Sequence, residues 1–468
     1  MSRKLCAALA ALILLSFCPL LPAQQPAVEP PAQGEARRSP PAQRPPEDPA
    51  KLEADSQAAY AEGEYLRYYI ANLKLHKMFP QVPQYMVNLV KGSALLDKRT
   101  TAYHYMHMMQ QQGLSYDFNA TEDTANIRGT QAYDYMSNLM IDAGQPAGDG
   151  EVAATVPGLP QDFGAIAWDP TRERLLLGTI REGRLLALGA DGSVQELLRA
   201  GDANGLWSIG GLAVDSGSDR LWIATSATEA FAGLSPADRN RATLVELELG
   251  SLEVVDRYHV PVDALRHQLG AVAATADGHV YVIDTLSPIV YRKAPSESKL
   301  EAFVASDRLV GFTDLAVTPD NSRLFVADPV MGVFLVDPRA QSATMLQAEP
   351  TLNLAGIDGI AYADGKLFIV QGGISPQRVM RLELDPAGSA VATVSPMAIA
   401  LEPFDWPRLA TLGADGLYYL ANQGAGAAED GLIVMRSPLD AGQSIQAPDV
   451  QDLQRALQSQ LPPQPPQQ

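Results

Sequence analysis

Residues 311–328 read GFTDLAVTPDNSRLFVAD, and this stretch decides the fold. The apolar pair Leu315-Ala316 opens a short run, turn-forming residues interrupt it at 319–321, and a second apolar run follows at 324–328. Short apolar runs separated by turn residues are typical of neighbouring antiparallel β-strands. The stretch therefore predicts two adjacent strands of one sheet.

The same pattern occurs six times between residues 157 and 440. Its apolar-alanine anchors are Ile166-Ala167, Leu212-Ala213, Val272-Ala273, Leu315-Ala316, Ile360-Ala361 and Leu409-Ala410. They recur about 43 to 60 residues apart, the period of a four-stranded propeller blade. Third strands are predicted at 184–188, 332–337 and 379–385. The predicted fold class is mainly β, with a six-bladed β-propeller over residues 151–440 preceded by a small α-helical domain.

Two features outside the regular repeat lead to further expectations. Residues 151–156 favour β-structure just before the first repeat, and we predict that they form the outer strand of the last blade, because ring closure removes exposed edges. The alternative is an ordinary linker. The longer second interval leaves room for an insertion around residues 227–241.

The N-terminal residues have the order of a secretory signal. Basic residues at 3–4 precede an apolar run at 5–17 and a small residue at Ala23, so residues 1–23 are predicted to be a signal peptide. We therefore expect a periplasmic or secreted protein with no membrane span after signal removal. Lipidation would use Cys18, but Phe17 stands where that signal requires a small residue. Both cysteines, Cys6 and Cys18, lie in this segment, so the mature chain is expected to carry no thiol.

Three further regions flank or precede the repeats. Residues 24–50 are rich in Pro, Ala, Gln and Glu and are predicted to be a disordered linker, and residues 441–468 a mostly disordered tail. Residues 51–147 show apolar residues at helical spacing and are predicted to form the α-helical domain. Their many Tyr and Met side chains suit either a packed core or an adaptable contact surface.

The charge balance excludes one class of partner. The net charge is −19, and Lys and Arg are not clustered, whereas nucleic-acid binding needs grouped basic residues. We therefore expect no nucleic-acid partner.

The stretch at 311–328, together with Asp358-Gly359-Ile360-Ala361, resembles the propeller family of senescence marker protein, gluconolactonases and luciferin-regenerating enzymes. The resemblance covers roughly residues 157–440 and excludes the helical region. It implies the six-bladed fold. For the lactonases of that family it also implies a divalent metal in the central channel, held by acidic and Asn side chains just before the innermost strands.

The family's metal-ligand pattern is mostly missing here. The residues two positions before the six anchors are Gly164, Gly210, Gly270, Thr313, Asp358 and Pro407. Only Asp358 could ligate strongly, whereas Ca²⁺ takes six to eight oxygens and catalytic Zn²⁺ about three protein ligands. We therefore expect no cofactor. A Ca²⁺ or Zn²⁺ ion is expected only if the protein is a hydrolase, and Asp358 is then the one candidate metal ligand.

Polar residues are nonetheless predicted to gather at one end of the ring. Because first and second strands are antiparallel, the start of one lies beside the finish of the other. This places six candidate ligand-binding residues at the channel mouth: Asp358, Asp314, Asp328, Asp284, Gln371 and Asn422. The alternative is that these side chains cap strand ends and satisfy loop amides.

These observations lead to two main functional expectations and a third alternative. The first is an exported propeller that binds a small molecule or a protein at its mouth, without clear catalytic machinery, because no nucleophile elbow, zinc-protease or nucleotide-binding motif is found. The alternative is a lactonase or esterase-type hydrolase with a degenerate metal site around Asp358, Asp314 and Asp328. A structural envelope protein tethered by the Pro-rich arm would need no pocket.

Overall fold

The computed structural model describes residues 47–159, 162–201, 203–261, 263, 265–305, 310–424 and 431–442. The predicted signal peptide, almost all of the Pro-rich linker and most of the C-terminal tail lie outside the described residues. Residues from Asp48 onward form one compact unit, and Met1–Glu47 are assigned to another. The helical segment and all the sheets belong to the first of these units.

The helical segment contains five α-helices: α1 (Pro49–Ala61), α2 (Tyr65–Met78), α3 (Pro83–Leu95), α4 (Arg99–Gln111) and α5 (Gln131–Asp142). Short 3-10 helices lie at Phe118–Ala120 and Glu122–Ile127. Pro49 and Pro83 occupy first-turn positions, where a missing N–H breaks no helical hydrogen bond. Within the described residues, no helix combines the length and apolar character needed to cross a membrane.

Tyrosine and methionine side chains form the centre of this segment. Met86, Met106, Tyr133 and Met140 are at most 1% exposed and pack in one cluster with neighbouring helices. The packed-core interpretation of the Tyr- and Met-rich pattern is therefore correct for these residues.

Two short strands follow the helices, β1 (Ala147–Gly148) and β2 (Glu151–Val156), and the remaining strands form six successive blades. Blade 1 contains β3 (Phe163–Asp169), β4 (Arg174–Thr179), β5 (Arg184–Gly189) and β6 (Val194–Arg199). Blade 2 contains β7 (Ser208–Asp215), β8 (Arg220–Ser226), β9 (Ala242–Glu248) and β10 (Val254–His259). Blade 3 contains β11 (Leu269–Ala274), β12 (Val280–Asp284), β13 (Ile289–Lys293) and β14 (Glu301–Ala305).

Blades 4 to 6 follow the same order. Blade 4 contains β15 (Asp314–Val317), β16 (Leu324–Asp328), β17 (Gly332–Asp337) and β18 (Ser342–Met345). Blade 5 contains β19 (Ile357–Ala363), β20 (Lys366–Gln371), β21 (Arg378–Leu384) and β22 (Val391–Ile399). Blade 6 contains β23 (Arg408–Leu412), β24 (Leu417–Leu420) and β25 (Leu432–Ser437).

The six sheets are arranged as a closed ring. Each innermost strand contacts the innermost strands of the two adjacent blades, and β23 of the last blade contacts β3 of the first. All six apolar-alanine anchors lie on these innermost strands. The predicted fold class, a six-bladed β-propeller preceded by helices, is confirmed.

The ring closes through a strand that precedes it in sequence. β2 pairs antiparallel with β25 as the outer strand of blade 6, with Val156 opposite Leu432. The predicted closing strand is therefore confirmed, and so is the insertion at 227–241, which joins β8 to β9. The sequence did not predict that β1 adds a fifth strand to blade 5 by pairing with β22.

Glycines on the innermost strands allow these strands to approach one another closely. A Cβ atom on Gly210 would collide with the carbonyl oxygen of Leu269, and one on Gly211 with that of Gly270. Gly164 lies in a similar position against the carbonyl oxygen of Ile209. Glycine therefore occupies these positions because the neighbouring backbone leaves no room for a side chain.

The helical segment packs on blade 5. Ala355 and Ile374 belong to the same apolar cluster as the helical core. The Asn353 side-chain amide donates to the carbonyl oxygen of Gln81 at 2.8 Å and to Gln112 Oε1 at 2.9 Å. The backbone N–H of Ser115 donates to the carbonyl oxygen of Ser375 at 2.8 Å. These contacts involve the loops before β19 and after β20, so the helices lie on the face of the ring where innermost strands begin.

Candidate functional site

We call this face the channel mouth, the end of the ring where innermost strands begin and second strands finish. Four of the predicted site residues lie there at the ends of second strands. Asp284, Asp328, Gln371 and Asn422 are each at most 2% exposed. Their orientation is set by hydrogen bonds to neighbouring chain segments.

The two aspartates hold loops. Asp284 accepts hydrogen bonds from the backbone N–H groups of Gln268, Leu286 and Ser287, and its Oδ2 lies 2.6 Å from His267 Nδ1. Asp328 accepts hydrogen bonds from the backbone N–H groups of Val330 and Met331, which follow it in the chain. It also accepts from the N–H of Val310, in the segment before β15. Both carboxylates thus fix the loops that border the mouth.

The side-chain amides of Gln371 and Asn422 also bond to backbone groups of neighbouring segments. The side-chain amide of Gln371 donates to the carbonyl oxygens of Asn353 and Ala355 at 3.0 and 2.7 Å. Asn422 donates to the carbonyl oxygen of Gly431 at 2.7 Å and accepts from the N–H of Ile433 at 2.9 Å. For these four residues, the contacts match the alternative in which polar side chains cap strand ends and satisfy loop amides.

Asp314 is buried between blades 4 and 5. Its carboxylate accepts hydrogen bonds from the N–H of Leu315 and the N–H of Ile360, both at 2.8 Å. Burial raises its pKa to about 7, although these bonds and the charge of Arg408 act in the opposite direction. Asp314 borders a channel cavity of about 330 Å³ whose other lining residues come from all six innermost strands.

Asp358 lies near Trp406 and Arg408 at the junction of blades 5 and 6. Burial raises its pKa to about 6, while the guanidinium of Arg408 and a contact with Trp406 lower it. Its Oδ2 is buried and has no hydrogen-bond partner among the described residues. The structure therefore brings one predicted residue, Asp358, next to a cation that the sequence analysis did not single out.

A cavity of about 170 Å³ opens at the channel mouth, close to the starts of five innermost strands. Within the described part of the chain, Arg408 is the one charged side chain in its lining, and hydroxyl groups come from Ser208, Ser226, Thr228, Thr285 and Thr313. None of the six predicted site residues lines this cavity.

Two polar atoms of the cavity residues lack partners. Ser208 Oγ and Arg408 Nε are buried without a hydrogen bond to any described residue. Two other hydroxyls donate to backbone carbonyl oxygens, Thr313 to that of Ile357 at 2.7 Å and Thr285 to that of Gln268 at 3.1 Å. Ser226 Oγ accepts from the N–H of Leu269 at 2.8 Å. Unpartnered buried polar atoms are uncommon in folded proteins, and a bound water or ligand can supply the missing bond.

Sequence reasoning missed Ser208 and Arg408 because of irregularities in the strands. A β-bulge interrupts the pairing of β23 between Arg408 and Ala410, and Leu409 has a positive φ of 56°. Counting backwards from the anchor with period two cannot follow side-chain direction through a bulge. The signal available was an arginine directly before the apolar-alanine anchor of blade 6, a position that is alanine or glycine in four of the other five blades.

Two observations bear on Asp358 as a metal ligand. Across the described ranges no group of three His, Asp or Glu side chains is arranged to hold a metal ion. Asp358, the one candidate ligand, has the guanidinium of Arg408 close enough to lower its pKa. A fixed positive charge at this point opposes the binding of a second cation.

Four exposed apolar side chains lie on loops before inner strands or after a second strand. They are Leu265, Leu286, Val310 and Trp406, each 46 to 53% exposed. None of them lines the cavity of about 170 Å³. Isolated exposed apolar residues are ordinary on protein surfaces.

Comparison with known proteins gives similarities of fold. No protein-family model matches the chain, and no curated protein matches it. The calcium-binding protein regucalcin from Agrobacterium tumefaciens strain C58 is similar over 63% of this chain and 96% of its own, with 14% identity and a TM-score of 0.46. A luciferin-regenerating enzyme is similar over 65% of this chain and 99% of its own, with 12% identity and a TM-score of 0.45.

A third solved structure, of a Bacteroides thetaiotaomicron protein of unknown function, is similar over 63% of this chain and 76% of its own, with 13% identity and a TM-score of 0.44. These similarities concern architecture, and the same architecture hosts many activities.

Proposed function

We propose that this chain is an exported binding protein whose propeller mouth takes a small polar molecule. The observation that supports the proposal is the cavity at the mouth, where Ser208 Oγ and Arg408 Nε are buried without hydrogen-bond partners among the described residues. Leaving a buried polar group unsatisfied costs about 1–3 kcal/mol. A ligand that bonds to both atoms would remove that penalty.

The size of the cavity limits the ligand class. A volume of about 170 Å³ corresponds to roughly six water molecules, since one water occupies ~30 Å³ in the liquid. A small metabolite or the end of a larger molecule fits this space.

The alternative, a lactonase or esterase-type hydrolase with a metal around Asp358, Asp314 and Asp328, has weaker support. Asp328 is committed to backbone N–H groups, and Asp314 is buried against Leu315 and Ile360. Ca²⁺ takes six to eight oxygen ligands and catalytic Zn²⁺ about three protein ligands, and among the described residues no group of three His, Asp or Glu side chains is placed to hold either ion.

The proposal is tested by screening the protein against hydroxy acids, sugars, amino acids and their amides with thermal shift and calorimetry. Thr228 lines the cavity, and Thr228→Trp should fill it. Thr344 is exposed on β18 and provides the matched control Thr344→Trp. We expect a compound that binds wild type and Thr344→Trp but not Thr228→Trp. Failure of every compound, or unchanged binding by Thr228→Trp, would contradict the proposal.

The metal-dependent alternative has its own test. A metal that binds the native state raises the melting temperature. After chelation, we expect Ca²⁺, Zn²⁺ and Mn²⁺ at millimolar concentration to leave melting unchanged. A rise in melting temperature that Asp358→Asn abolishes would favour the hydrolase instead.

Export is supported by the basic, apolar and small-residue order of residues 1–23. Mass spectrometry of the protein recovered from periplasm or medium should give an N-terminus near Gln24. A mature protein that retains residues 1–23 would contradict cleavage.

A further inference from the structure

We infer that the ligand of the channel mouth carries a carboxylate or similar oxyanion, held by the guanidinium of Arg408. This inference rests on the proposed small-molecule function and names the ligand class. It depends on the chemistry of the cavity lining and on which of its polar atoms are still available.

The first argument is charge. Among the described residues that line the cavity, Arg408 is the one with a formal charge, and its Nε lacks a hydrogen-bond partner. A guanidinium has five N–H donors, no acceptor, and a planar shape that matches a carboxylate. It is also more weakly hydrated than an ammonium group, so its burial beside an oxyanion is favourable.

The second argument is the balance of donors and acceptors. Ser208 Oγ has no partner, so its hydroxyl is free to donate. Ser226 Oγ accepts from the N–H of Leu269, which leaves its own proton available to a ligand. Together with Arg408, these residues present an excess of donors to the cavity, so the complementary ligand group is rich in acceptors.

The third argument is that the nearest carboxylates leave a hydrogen-bond donor of the arginine free. Asp358 Oδ2 has no hydrogen-bond partner among the described residues, and Asp314 directs both oxygens to backbone N–H groups. Burial raises the pKa of Asp314 to about 7, so this carboxyl carries only part of its negative charge at neutral pH, whereas Asp358, with a pKa of about 6, stays mostly ionised. The Nε–H of Arg408 is therefore still available to an external anion.

The test compares lactate, glycerate and succinate with their amides, using calorimetry on the full chain at fixed pH. We expect each carboxylate to bind at least about ten-fold more tightly than its amide, since charge-assisted hydrogen bonds are roughly twice as strong as neutral ones. Arg408→Gln should abolish this preference. The control, Arg323→Gln, alters an arginine that borders a cavity at the opposite turns and should retain it.

Arg408→Lys tests the inference again if Arg408→Gln does not fold. It keeps the charge but loses the planar pair of donors, so the preference should shrink without disappearing. In wild type, raising NaCl from 50 to 500 mM should weaken carboxylate binding and leave amide binding unchanged, because salt screens charge interactions.

The outcomes separate this inference from the proposed function. If carboxylates and amides bind equally and Thr228→Trp blocks both, the ligand-class inference is wrong and the mouth is still a binding site. If Arg408→Gln keeps the carboxylate preference, the assignment to Arg408 is wrong. If none of the six probes binds wild type, the inference also falls, and the broader screen then decides the proposed function.

Discussion

Arg378 on β21 donates a hydrogen bond of 3.1 Å from Nη1 to the backbone carbonyl oxygen of Gln112, the residue that caps the C-terminal end of α4. It also donates to Gln371 Oε1 at 2.8 Å and to the carbonyl oxygen of Asn353 at 3.2 Å. The side chain is buried, and burial lowers its pKa to about 10. One cation thus joins the helical segment to blade 5 through neutral oxygen acceptors.

Arg378→Met should destabilise the protein strongly. The substitution leaves the carbonyl oxygen of Gln112 and Gln371 Oε1 without their donor, whereas the carbonyl oxygen of Asn353 keeps the amide of Gln371. Each buried acceptor left unsatisfied costs about 1–3 kcal/mol. Urea denaturation monitored by circular dichroism should show a lower midpoint. The matched control Arg339→Gln changes an exposed arginine and should stay within about 0.5 kcal/mol of wild type. Equal midpoints for the two variants would contradict the role assigned to Arg378.

Val156→Asp should open the ring at its closing strand. Val156 is 8% exposed and packs in the core between blades 6 and 1, so a buried unpaired carboxylate is expected to cost about 3 kcal/mol. Val152, on the same strand, is 48% exposed. Val152→Asp is therefore the control and should change the melting temperature little. Equal melting temperatures for the two variants would contradict this prediction.

Gly211→Ala should destabilise the centre of the propeller. The added methyl group would collide with the carbonyl oxygen of Gly270, and backbone atoms cannot move aside cheaply. We expect a loss of about 1–3 kcal/mol in the free energy of unfolding. Gly201→Ala places a methyl group where no atom lies within 4 Å and should be nearly neutral in the same urea titration.

Asp314 should make stability depend on pH. Because burial raises its folded pKa to about 7, the folded state binds a proton that the unfolded state has released. The free energy of unfolding contributed by Asp314 is therefore highest below about pH 4 and falls as pH rises to about 7. Between pH 5 and 8, wild type should lose more stability than Asp314→Asn. Parallel melting-temperature profiles for the two proteins would contradict this expectation.

Much of the fold follows from local sequence patterns. The anchors, from Ile166-Ala167 to Leu409-Ala410, predict the innermost strands because each run is short, apolar and followed by turn residues. The closing strand is predictable because an open ring would leave strand edges unpaired. The fifth strand β1 is not, since Ala147 and Gly148 have little strand preference and pair through tertiary position alone.

The candidate site is much less accessible to sequence reasoning. Counting residues correctly places Asp284 and Asp328 at the mouth, but it cannot show that their oxygens are used by loop N–H groups. Nor does it show that Ser208 and Arg408 border one cavity, because they are remote in sequence and β23 has a bulge. Which polar atoms remain free depends on the assembled ring.

The closing strand also affects how the protein reaches its folded state. Glu151 and its ion-pair partner Arg436 are separated by 285 positions in the chain. During synthesis, β2 leaves the ribosome long before β25 exists, and such distant pairings form slowly. In that interval its hydrogen-bonding edge is open to other molecules, so a chaperone or delayed folding until release would protect this protein from aggregation.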